Sequence, residues 1–110
     1  DFGDVRAAIG DAVDAETPRN ALESLRSLRG VDVPVASAIL FFLDPGAYVV
    51  VGEREWTALE TTGELSASYP DPPTANDYER YLGACETVAD RCECDLQTLY
   101  RALWRHSKSN

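Results

Sequence analysis

The sequence predicts an all-α domain of about six helices, and three observations predict it. Apolar residues recur every three or four positions in segment after segment. Helix start and stop signals punctuate those segments at workable intervals. The one β-branched stretch, residues 48–51, finds no partner strand elsewhere in the chain. At 110 residues the chain is long enough for one hydrophobic core and too short for two, so 1–110 reads as a single domain.

Val5, Ala8, Ile9, Ala12 and Val13 fall at helical spacing and predict a first helix from about Asp4 to Ala15. Thr17 followed by Pro18 is a start signal, with threonine as N-cap and proline at the first helical position. The stripe Ala21, Leu22, Leu25, Leu28 follows, and Gly30 stands where a left-handed C-cap belongs. Pro34 opens a third helix whose residues 35–43 are apolar nearly all round, which predicts a central, buried element. Asp44-Pro45-Gly46 is a turn, and Tyr48 to Val51 reads as a buried extended connection. A fourth helix from Glu53 to Thr61 buries Trp56 and Leu59, and residues 63–74, with three prolines, form the one long loop. A fifth helix carries Tyr78, Tyr81, Leu82, Cys85, Val88, Ala89 and Cys92. Asp95 caps a sixth that bears Leu96, Leu99, Tyr100, Leu103 and Trp104 on one face.

Charge restricts the partners. Nineteen Asp and Glu against ten basic residues give a net charge of -9, and Lys108 is the one lysine among those ten. Such a surface repels phosphate. An acidic, lysine-poor composition also fits a halophilic protein, whose acidity answers to the solvent and not to the ligand. No apolar run approaches the length of a membrane span, so no membrane partner is expected. Cys85, Cys92 and Cys94 are odd in number and no secretion signal is visible, which suggests reduced thiols and a cytoplasmic location. The chain starts at Asp1, as a processed protein or a fragment would. No cofactor motif occurs, and three cysteines fall short of the four thiolates of an iron–sulfur cluster.

Residues 28–36, Leu-Arg-Gly-Val-Asp-Val-Pro-Val-Ala, carry the functional hint. A helix that ends on a left-handed glycine, turns briefly and enters another helix aims several main-chain N–H groups outward together. That cluster, reinforced by the helix dipole, suits an anion. Gly30 lets the backbone approach a ligand closely, and Val31 is expected to plug the turn into the core. An ordinary αα-hairpin with a glycine cap would look the same and needs no ligand.

Leu-x-Gly-Val, a short polar turn and Ala-Ser-Ala-Ile-Leu resemble the hairpin of the helix-hairpin-helix DNA glycosylase superfamily. That group includes endonuclease III and the 8-oxoguanine glycosylases. The resemblance spans residues 22–60 and includes the order of apolar helix, turn, short apolar segment and new helix. It implies a double-stranded DNA partner. Gly30, Val31, Val33 and Val35 would offer main-chain groups to a phosphate, and Arg29 would add charge. Main-chain carbonyls between Gly30 and Val33 would hold a monovalent cation.

Two departures bear on chemistry. The family's catalytic Asp falls at Gly52, and the Lys of its bifunctional members falls at Pro34. Cleaving a glycosidic bond needs a carboxylate near the developing charge, and glycine has none. The reading is therefore a DNA-binding protein of the repair-glycosylase type that lacks glycosylase chemistry. Two alternatives stand beside it: an active DNA N-glycosylase using Glu53, and a protein–protein adaptor on the same scaffold. Asp32 replaces the second hairpin glycine; it tolerates a left-handed backbone, but its carboxylate would sit beside any phosphate. Arg101, Arg105, His106 and Lys108 form a second basic cluster near the end of the chain. His106 has no partner at catalytic spacing.

Overall fold

Six α-helices in sequence build the chain: α1 (Phe2–Asp14), α2 (Pro18–Arg26), α3 (Val33–Leu43), α4 (Glu53–Thr61), α5 (Ala75–Cys92) and α6 (Leu96–Ser109). The computed structural model describes residues 2–109, with side chains from 3 to 105. Among them there is no strand, as the sequence predicts.

The starts follow the residues that mark them. Thr17 Oγ1 accepts from the Asn20 amide at 3.1 Å, and Asp95 Oδ1 accepts from the Thr98 amide at 2.7 Å. α5 begins three residues before the predicted stripe, because Thr74 and Asp77 close a reciprocal capping box. It ends on Glu93 in the left-handed region at φ 56°.

α1 packs on α2, α2 on α3 and α5, and α6 on both α4 and α5. Four of the expected apolar faces need correction. In α1 only Ala8 and Ala12 of the stripe are buried, while Val13 is 65% exposed. α3 is apolar all round yet buries one face, Val33, Ala36, Ser37 and Leu40. Its other side is open, with Phe42 85% exposed. Cys85 is buried but Cys92 is exposed. Trp104 also reaches solvent on the outer edge of α6.

The extended segment at residues 48–51 runs through the middle without a partner strand, so its polar groups must be met by side chains. Tyr78 Oη donates to the Val49 carbonyl at 3.0 Å, and Tyr81 Oη donates to the Val50 carbonyl at 2.8 Å. Ser37 Oγ accepts from the Val51 amide at 3.0 Å and itself donates to the Pro34 carbonyl at 2.7 Å. These bonds tie α3 and α5 to the strand-like segment that delivers Gly52 to the start of α4. The Tyr81 ring also lies parallel to Trp56, with centroids 6.0 Å apart.

Candidate nucleic-acid interface

The candidate site begins where α2 runs out. The Ser27 amide still bonds back to Glu23, the Leu28 amide to Leu25 and the Val31 amide to the Leu28 carbonyl at 3.2 Å. This last bond closes a tight turn that Gly30 completes at φ +83°. A Cβ at Gly30 would meet nothing within 4 Å, so the left-handed backbone, and not lack of room, requires glycine there. Arg29 and Gly30 are exposed at the tip, while Leu28 and Val31 rest half-buried on the core. The plug of the turn is Val33, fully buried, and not the expected Val31.

Asp32 differs from the expectation. Its φ is -95°, in the extended region, and its side chain caps α3: Oδ1 accepts from the Val35 amide at 3.1 Å. The Asp32 carbonyl takes the Ala36 amide at 2.9 Å. Two of the four main-chain donors expected to face a phosphate, those of Val31 and Val35, are therefore satisfied within the turn. The amides of Gly30 and Val33 have no acceptor among the described residues. Arg29 has no ion-pair partner among them, whereas Arg26 is held by Glu23 at 2.9 Å.

α4 starts at the other end of the same region. Gly52 is its N-cap, with extended backbone and no side-chain cap bond. Glu53 and Arg54 point to solvent. Glu55 folds back instead: it is 7% exposed, and its Oε2 lies 2.8 Å from the point a Cβ would occupy on Gly52. The position that lacks a carboxylate of its own is thus filled by one from a single turn later. Sequence reasoning had weighed Glu53 and missed Glu55. The signal was present, since the third residue of a helix leans back toward its cap. A side chain at position 52 would have blocked it.

The long loop packs on α4 through Tyr69, whose ring stands edge-on to Trp56 at 6.0 Å. Burial, and then the negative charges of Asp71, Glu53, Asp32 and Glu55, hold the Tyr69 hydroxyl above its ordinary pKa. Tyr69 is thus partly buried against the core.

The second basic cluster lies on α6. Arg101 and Arg105 line a groove of about 260 Å³ with Tyr100 and Trp104. The side chains of His106 and Lys108 lie outside the described residues. The three thiols are free, and burial pushes the Cys85 thiol up to about 12. No set of three metal-ligating side chains occurs among the described residues, and no helix there is long and apolar enough to cross a membrane. No protein-family model, curated protein or solved structure matches the chain.

Proposed function

We propose that the chain is a helix-hairpin-helix DNA-binding domain that meets a duplex phosphate through residues 28–33 and lacks base-excision chemistry of its own. The observation that carries this reading is the left-handed, exposed Gly30 beside Arg29, which has no ion-pair partner among the described residues, with the N-terminus of α3 directly behind. The open amides of Gly30 and Val33 and the helix dipole favour an anion at that point. Asp32 opposes it and sets the sign of the salt effect. Ordinary DNA binding weakens as salt rises, because the protein releases cations from the duplex. Here a cation must enter between Asp32 and the phosphate, so binding should hold or strengthen as KCl is raised.

Anisotropy with a labelled undamaged duplex, at low and at molar KCl, tests the proposal. The expected result is binding at high salt that Arg29→Glu weakens by about tenfold, in line with inverting one phosphate contact. No binding at any salt, or equal binding by Arg29→Glu, overturns it.

Glu55 favours a second reading, an active N-glycosylase with an atypical carboxylate. The enclosed carboxylate beside Gly52 is better placed than Glu53 to stabilise positive charge on a sugar. Abasic product from duplexes carrying oxidised or alkylated bases, abolished in Glu55→Gln, would establish this second reading. Its absence across the panel leaves the binding function alone.

A further inference from the structure

The sixth helix reverses the charge of the chain that carries it. α6 holds Arg101, Arg105 and Lys108 and no Asp or Glu, while the whole chain has a net charge of -9. Its apolar residues Leu96, Leu99 and Leu103 are buried in the core. Tyr100 and Trp104 stand four residues apart, and so do Arg101 and Arg105. Residues at that spacing share a face about 6 Å apart along the axis, so an aromatic row runs beside a basic row. All four residues line one groove of about 260 Å³. Trp104 is 41% exposed, and Arg101 and Arg105 are exposed with it. Tyr100 is held from behind, packed on the core and meeting the Phe41 ring with centroids 5.1 Å apart. Arg101 makes no hydrogen bond or ion pair among the described residues.

We propose that this groove binds single-stranded nucleic acid, with unpaired bases stacked on Tyr100 and Trp104 and the strand's phosphates on Arg101 and Arg105. Charge complementarity restricts the occupant to an anion, and the rings choose among anions. The groove is smaller than the roughly 300–1,000 Å³ that encloses a whole small ligand, so it suits a chain laid across the helix. A single strand offers flat base faces and phosphates side by side, which matches the two rows. An acidic peptide would meet the arginines and leave the rings without a partner. A lipid surface takes up apolar side chains, and those of α6 are already in the core. A duplex keeps its base faces stacked on one another, out of reach of the rings. The proposal uses residues other than 28–33 and does not rest on the duplex reading.

The test is anisotropy of a labelled oligothymidylate with the intact chain at low KCl. Unlabelled oligothymidylate, an abasic strand of the same length, a polyglutamate peptide and phosphatidylglycerol vesicles serve as competitors. The strand should bind, and the last three should compete at least tenfold less well than the unlabelled strand. Trp104→Ala should weaken binding by about tenfold or more, the loss of one stacked base, and Trp104→Phe should keep most of it. Arg101→Gln should weaken binding and lower the slope of affinity against salt by about one phosphate contact. Arg80→Gln, an exposed arginine on α5, should leave binding unchanged. No binding of the strand overturns the proposal, as does equal competition by the abasic strand, the peptide or the vesicles. Equal weakening by Arg80→Gln and Arg101→Gln would mean diffuse attraction and would overturn it too. Failure here leaves the duplex reading standing, because that one is read from Arg29→Glu at high KCl.

Discussion

At the scale of single residues, Ser37 and Gly52 each do something that their local context conceals. Ser37 sits in an apolar helix, where a hydroxyl looks misplaced. Its oxygen is the acceptor for the buried Val51 amide. Ser37→Ala leaves that amide unsatisfied and should destabilise the fold by about 1–3 kcal/mol, read from urea unfolding. Unchanged stability would mean that water serves the amide equally well. Gly30 and Gly52 differ in kind. Gly30→Ala must hold alanine at φ +83° and should cost about 1–2 kcal/mol. Gly52→Ala asks only the far end of Glu55 to move and should cost under about 1 kcal/mol. The need for glycine at position 30 was legible from the helix stripe that ends just before it. The enclosure of Glu55 was not, because it depends on the missing Cβ of a residue one turn earlier. Nor were the partners of Ser37 and Tyr78, which lie 14 and 29 residues away in the chain.

Helix boundaries were largely legible because their causes are local. Thr17 with Pro18 and Asp95 stand where the residues place them, each set by a bond three residues long or by a proline; α4 also starts at Glu53 as expected, on a Gly52 cap that makes no side-chain bond. Asp95 makes one cap testable by pH. The Thr98 hydroxyl and amide hold its carboxyl below the ordinary 3.8. A folded pKa below the unfolded one means stability present above about 3.8 and lost as pH falls from there through the folded value. Asp95→Asn keeps a capping oxygen without the charge, so its melting temperature should fall less steeply than the wild type's over that window. Parallel curves would show that the cap does not couple to the charge. Thr74→Ala removes half of a capping box and should cost about 1 kcal/mol. Which face of a helix is covered was less legible, because that depends on neighbours. α3 carries apolar residues on every side, so its pattern contains no instruction about orientation. The hydroxyls that meet residues 49–51 select the face with Ser37, and Val35 and Phe42 are left outside.

At the scale of the molecule, charge and shape pull in different directions. The chain folds to a radius of gyration of 13.9 Å, close to the roughly 13 Å expected for about 100 residues, while holding a net charge of -9. Self-repulsion at that charge destabilises the compact state, and salt screens it. Thermal stability should therefore rise with KCl and level off once the screening length falls to about 3 Å near 1 M. A melting temperature independent of salt would remove electrostatic repulsion from the account. The all-α class was legible in the sequence because helical spacing is a local property repeated along the chain. The docking of the long loop was not, since Trp56 meets the Ala67 carbonyl and Tyr69 only when α4 and the loop are folded. The central claim is that residues 28–33 are the part of this molecule that touches duplex DNA. Amide chemical shifts followed by NMR during a duplex titration at high KCl test it most directly. The account predicts the largest changes at Arg29, Gly30 and Val33, with α5 unmoved. Changes confined to α6, or none at saturating duplex, would contradict it.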